Sequence, residues 1–285
     1  MIEAAARPRG PYSFRLSTRT VNDATRVVRD GRLTAVVAVD GGFERASAWQ
    51  YPDGVVRLQA ESEGGLERLR FILALDDDHT PFLRRFQGDP LLGETIRRLR
   101  GLRPPRVATV AHSLLRALCG QLIQASRARA IERSVVRATS PALGDLHAPP
   151  TAAALARFSP AELRALGLGM RRASTLVRIC RTLDLERLRE SPTTVVADRL
   201  ERERGLGPWS AGVVCLEGLG RAECGLTGDL GLVKLCSELR GRWVEPAETA
   251  ELLRPYGEWA GLASVYLLRG FHLGLIPLPA RRLAA

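Results

Sequence analysis

The chain predicts an α+β protein in which a small antiparallel-sheet N-terminal domain precedes a mostly helical body. Three observations carry this. Residues 12–60 hold Val- and Ala-rich runs separated by Asp-Gly turns, the pattern of strands and hairpins. Beyond Arg103-Pro104-Pro105 the apolar residues recur at helical spacing and the turns are short. At 285 residues the chain also exceeds the roughly 100 to 200 usual for one domain. Domains at residues 1–103 and 104–285 are therefore expected.

Taken in order, residues 32–39, 44–51 and 55–60 read as strands of at least a three-stranded meander, with turns at Asp40-Gly41-Gly42 and Pro52-Asp53-Gly54. Leu66, Leu69, Ile72 and Leu73 then recur at helical spacing, so a helix over 65–75 should cover one sheet face. Asp76-Asp77-Asp78 reads as a solvated, helix-terminating turn, because no further ligand spacing accompanies it as a metal site would need. In the second region Val110, Leu114, Leu115 and Leu118 place an apolar stripe on a helix ending near Gly120-Gln121-Leu122-Ile123, and residues 130–138 continue in helical register. Ser159-Pro160-Ala161-Glu162 combines a capping Ser, a first-position Pro and a Glu three residues after the cap. Further helices are expected over 170–183, 192–203, 208–219, 229–239, 246–253 and 259–270.

Charge narrows the class of partner. The net charge is +11, of which residues 1–100 supply +2 and residues 101–285 supply +9, so the helical region carries the basic surface. That suits a polyanion, and it equally suits a solvated surface. All but Lys234 of the 42 basic residues are Arg. The five cysteines, at 119, 180, 215, 224 and 236, form no C-x-x-C pair, and the histidines at 79, 112, 147 and 272 show neither metal nor triad spacing. No metal centre is expected. The first ten residues lack the apolar core of a signal peptide, and nowhere do 18 apolar residues run together, so the expectation is a cytoplasmic protein with no membrane partner.

The chemistry concentrates in Arg204-Gly205-Leu206-Gly207-Pro208-Trp209-Ser210-Ala211-Gly212 and in Thr227-Gly228-Asp229-Leu230-Gly231-Leu232. Two glycines bracketing one apolar residue allow a tight turn, and Pro208 suits the first position of the helix that follows. Free backbone N–H groups at such a helix start suit an anion such as a DNA phosphate. Asp229, 20 residues beyond Trp209, opens the next helix. An aspartate caps a helix well, and capping is compatible with a catalytic role.

Gly120-Gln121-Leu122-Ile123, the helix pair around Leu206-Gly207-Pro208-Trp209, and Gly228-Asp229 together, in that order, resemble the helix-hairpin-helix DNA glycosylases, in particular the bacterial alkylation-repair 3-methyladenine DNA glycosylase II type. The resemblance covers most of the chain, and Pro11-Tyr12-Ser13-Phe14 onward is similar to that type's N-terminal domain. It implies a helix-hairpin-helix at about 192–219, a catalytic loop at 225–232, and removal of alkylated purines flipped out of duplex DNA to begin base-excision repair. Asp229 matches the catalytic aspartate, whose carboxylate would oppose positive charge developing on the sugar. Leu122 matches the wedge that fills the gap left by the flipped base, and it reads otherwise as a core leucine. Gln121, Gly205, Leu206, Gly207, Trp209 and Ser210 are implied DNA-binding positions. Trp209 stands where glycosylases that also cut the backbone carry a nucleophilic lysine, so a monofunctional enzyme is implied. Lys234 then reads as a phosphate contact or plain surface charge.

No organic cofactor is implied, although in the family the hairpin can hold a monovalent cation through backbone carbonyls. The expected partner is double-stranded DNA with a damaged base, met by a monomer associated with the nucleoid. The pocket departs from the family, since Val213 and Leu268 stand where aromatic side chains would stack on an electron-poor base. Phe14, Trp259, Tyr266 and Trp243 remain as stacking candidates or as core residues. Arg127, Arg129, Arg171 and Arg172 read as phosphate contacts or as solvated charge. Oxidised or deaminated bases as substrates, and a non-catalytic damage-binding protein, are the alternatives left open.

Overall fold

A computed structural model of the chain describes residues 1–121 and 123–279. Five strands form one antiparallel sheet: β1 (Ile2–Ala6), β2 (Arg26–Arg29), β3 (Arg32–Val39), β4 (Gly42–Gln50) and β5 (Val56–Ala60), in the order β1-β5-β4-β3-β2. The expected meander is β3 to β5, with Arg32 opposite Trp49 and Val39 opposite Gly42 in the first pair. β2 joins β3 through Asp30 and Gly31, both at positive φ (48° and 73°), the backbone that a two-residue hairpin turn requires. One stretch read as strand is a helix. Phe14–Thr18 is helical because the Ser13 side chain accepts from the Leu16 N–H and caps its first turn.

The helix Glu63–Ile72 lies on the sheet as its spacing predicts. Leu66, Leu69 and Ile72 pack against Leu33, Val37, Ala48 and Leu58, and each such burial stabilises by about 1.5–3 kcal/mol. The acidic turn after it is ion-paired rather than simply solvated. Asp76 pairs with Arg70, Asp77 with the buried Arg106, and Asp78 accepts from the Thr80 N–H.

Beyond the sheet, the helices build two cores. In one, Val110, Leu114, Leu115 and Leu118 of the helix Val110–Gly120 meet Val135 and Val136 of Ala125–Thr139 and Leu176 and Ile179 of Met170–Thr182. The other joins Phe82, Phe86, Leu92, Ile96, Leu99 and Leu102 to Leu232, Leu235, Leu262, Ala263 and Tyr266. Residues 82–102 thus share a core with the C-terminal helices, and the packing does not follow a cut at residue 103. Ser159 forms the reciprocal capping box that its spacing predicts.

A buried ionic network ties the sheet to the helices. Arg116 donates to Asp23 at 2.9 Å and to Glu132 and Glu217 at 2.8 Å each, while His112 and Glu132 meet at 2.8 Å. Burial would raise both acids, but the guanidiniums of Arg26 and Arg116 outweigh it at Asp23, and Arg116 with His112 outweighs it at Glu132. Both carboxyls therefore titrate below their ordinary range.

Candidate active site

Two short helices, Thr193–Glu201 and Pro208–Val213, bracket the Gly205-Leu206-Gly207 turn, and the second runs on as a π-helix, Val214–Leu219. Gly205 has φ +97°, and a β-carbon there would stand 2.5 Å from Thr175 Oγ1, so both backbone and space demand glycine. Thr175 and Arg178 hold the turn from the neighbouring helix by donating to the Arg204 carbonyl at 3.2 and 2.9 Å. Leu206 is buried in the core beneath the turn.

Gln121 clamps the turn from the other side. Its amide donates to the Gly205 carbonyl at 2.9 Å and to Ser210 Oγ at 3.0 Å. Gln121 and the buried Ser210 therefore bond to each other, and their side chains shape the hairpin. Gly120 has a separate function. A β-carbon there would lie 2.7 Å from Cη2 of Trp209, so the missing side chain makes room for the indole. Leu122, the expected wedge, lies outside the described residues.

The half-buried indole of Trp209 donates from Nε1 to Asp229 Oδ2 at 3.0 Å. Asp229 is the N-cap of the helix Leu230–Arg240, and its Oδ1 accepts from the Gly231 and Leu232 N–H groups at 2.8 and 3.4 Å. The cap and the indole hydrogen bond thus occupy different oxygens of one side chain. Gly228, at φ +85°, makes the turn into this cap, and its N–H donates to Thr249 Oγ1 at 2.7 Å. Ser264, buried in the last helix, accepts from the Leu226 N–H at 3.0 Å. Thr175, Arg178, Thr249 and Ser264 escaped the sequence reading because each reaches the site through the tertiary fold, with no local motif.

The expected base-pocket residues divide. Phe14 is 4 % exposed in the core beneath the sheet, and Val213 and Tyr266 are buried in the C-terminal core. The Tyr266 hydroxyl donates to the Leu102 carbonyl at 3.1 Å, which places it as the core residue that is the other reading of this position. Trp259 is half-buried, with its ring 5.9 Å from that of Phe82. Leu268 is half-buried, and its Cδ2 sits 2.5 Å from where a Gly231 β-carbon would be, directly over the first turn after Asp229. Trp243 is 62 % exposed beyond the far end of that helix. Lys234 is exposed on the same helix. A cavity of about 730 Å³ opens beside Phe71, Arg189 and Arg221, and none of the expected site residues lines it. Among the described residues no helix is long and apolar enough to cross a membrane.

Solved structures share this architecture. A 3-methyladenine DNA-glycosylase from Archaeoglobus fulgidus superposes with a TM-score of 0.83 over 96% of this chain and 99% of that one, at 20% identity. A Clostridium acetobutylicum 8-oxoguanine glycosylase/lyase, solved with DNA, reaches 0.77 over 97% and 99% at 16% identity. The fold is that of the helix-hairpin-helix DNA glycosylases. In sequence the chain is similar to a DNA-3-methyladenine glycosylase of Bacillus subtilis, 27% identical over 68% of each chain. It is also 24% identical over 81% of its length to a Mycobacterium tuberculosis protein named as a bifunctional transcriptional activator/DNA repair enzyme AlkA, of which it spans 51%. No family model matches the chain. With the ordered motifs, these relatives make the chain similar to the helix-hairpin-helix DNA glycosylases, and to alkylation-repair members in particular.

Proposed function

We propose that this protein is a monofunctional DNA glycosylase that hydrolyses the N-glycosidic bond of alkylated purines in duplex DNA. The observation that carries the reading is the Trp209–Asp229 pair, in which a carboxylate is fixed on both oxygens by the indole that follows the glycine turn and by its own helix. As the bond between C1′ and the base nitrogen breaks, its electron pair leaves with the base and positive charge builds on the sugar. A fixed anion facing that carbon lowers the barrier without reorganising at the moment of reaction. Water then adds to C1′ and releases a proton.

Among the described residues, Asp229 is the one carboxylate hydrogen-bonded to Trp209. That suits an alkylated purine, which carries its own positive charge and leaves as a neutral base, so the protein need supply no acid. An indole N–H in place of an amine supports hydrolysis without strand cleavage, because a Schiff base needs a primary amine. The hairpin would grip phosphate through backbone N–H groups, since Leu206 and Ser210 are buried and Trp209 is engaged with Asp229. A monovalent cation on the hairpin carbonyls and action as a monomer belong to the same proposal.

Duplexes carrying a methylated purine, hypoxanthine or 8-oxoguanine, incubated with the protein and then cleaved with alkali, test it. Abasic sites are expected from the methylated duplex, with no break before alkali. Release confined to 8-oxoguanine or hypoxanthine would move the substrate class, and breaks before alkali would overturn the monofunctional assignment.

A further inference from the structure

Arg269 belongs to the last helix, one residue beyond Leu268, which packs over the first turn after Asp229. Its guanidinium reaches back across the molecule and donates to Thr20 Oγ1 at 2.8 Å. Thr20 follows Arg19 in the turn after the short helix Phe14–Thr18, so a basic pair from opposite ends of the chain meets here. Burial and the nearby charges of Arg129 and Arg19, in that order, weaken the hold of Arg269 on its proton. Arg129 comes from the helix Ala125–Thr139, which starts four residues past Gln121. Arg19 and Arg129 are exposed, and among the described residues no carboxylate lies within ion-pair distance of any of the three. Arg26, Arg106 and Arg116 each have a carboxylate partner, and the fully buried Arg103 is held by backbone carbonyls.

Three like charges drawn together without a counter-charge repel one another, and an oxyanion held between them would relieve that repulsion. Leu268, next to Arg269 in the chain, ties the helix that carries Arg269 to the first turn after Asp229. We infer that Arg19, Arg129 and Arg269 form a phosphodiester-binding site, distinct from the hairpin, through which the N-terminal domain itself grips the DNA backbone beside the lesion. This rests on the glycosylase reading for the identity of the polyanion. The hairpin would hold one phosphate through backbone N–H groups, and the arginines another through side chains.

The test is the salt dependence of binding to a duplex containing a tetrahydrofuran abasic analogue, measured by fluorescence anisotropy for the wild type and for Arg19→Gln, Arg129→Gln and Arg269→Gln. Removing one phosphate-binding guanidinium should lower the slope of log affinity against log salt by about 0.9 and weaken binding about five- to tenfold at low salt. Arg29→Gln, a change at an exposed arginine on the sheet edge, controls for net charge and should leave the slope unchanged. Arg269→Lys keeps the charge of the half-buried position and guards against a folding defect. It should retain most of the slope, and matching thermal melts confirm intact protein. Slopes equal to wild type in Arg19→Gln and Arg129→Gln, or an equal loss in Arg29→Gln, would overturn the site. Base release measured on the same proteins separates the two readings. A wild type that binds with the expected slope and releases no base defeats the reaction and leaves the arginine site standing, whereas base release with unchanged slopes defeats the site alone.

Discussion

Asp229 has both carboxylate oxygens committed, one to backbone N–H groups of its own helix and one to the indole of Trp209. A side chain held at two points cannot swing, and catalysis by a fixed charge depends on that. Trp209→Phe keeps the ring and removes the donor. Loss of a hydrogen bond to a carboxylate, worth about 1.5–3 kcal/mol, should slow single-turnover base release about 10- to 100-fold. Affinity for the abasic analogue should stay near wild type, so a loss of affinity with no loss of rate would contradict the positioning role. Gly120→Ala should act on the same bond indirectly, because the added carbon would push on Trp209 Cη2. Overpacking of this kind costs about 1–3 kcal/mol, read as a lowered Tm together with slower release. Asp229 was legible in the sequence because a glycine, an aspartate and a helix start are local features. The aim of Trp209 was not, since the indole and the carboxylate meet only when two helices pack.

The hairpin is an element whose shape is set by its neighbours as much as by its glycines. Gly205→Ala meets two obstacles, a positive φ and the Thr175 hydroxyl, and should destabilise the protein by about 1–3 kcal/mol. The same change should weaken DNA binding, because Arg204 and Gly205 carry the carbonyls that Thr175, Arg178 and Gln121 hold. Chemical denaturation and anisotropy check both, and unchanged affinity would show that the turn does not touch DNA. The Gly-Leu-Gly-Pro turn was readable because positive φ and a first-position proline leave marks in composition. The π-helix over Val214–Leu219 was not, since its residues show the same apolar pattern as an α-helix; within it Glu217 reaches Arg116. β1 was also hidden. Ile2–Ala6 is mostly alanine, and only pairing with β5 makes it a strand.

Across the whole molecule, the order of sheet then helices was legible because the two periods differ, while the division of the cores was not. Phe82, Ile96 and Leu99 find their partners on helices that begin well over a hundred residues later, and no local pattern announces such contacts. The seam between sheet and helices rests on Arg116 and its three carboxylates. Removing one partner from a buried network leaves uncompensated charge, so Arg116→Met should destabilise by about 3–5 kcal/mol in urea unfolding at pH 7. The sign with pH follows from Asp23 and Glu132, whose carboxyls are held low in the folded state. Their contribution is complete above the ordinary carboxylate range, near pH 4, and is lost as pH falls below it. Wild-type stability should therefore decline steeply from about pH 5 to pH 3, and Arg116→Met should decline less. Parallel curves for the two proteins would remove the network from the account.

The central claim is that the Asp229 carboxylate does the chemistry while the hairpin does the holding. The most direct measurement is the single-turnover rate of base release from a methylated-purine duplex for wild type and Asp229→Asn, with affinity for the abasic analogue measured in parallel. A neutral amide of the same shape should slow release by at least about 100-fold and leave affinity within a few fold of wild type. Release by Asp229→Asn at the wild-type rate would contradict the account.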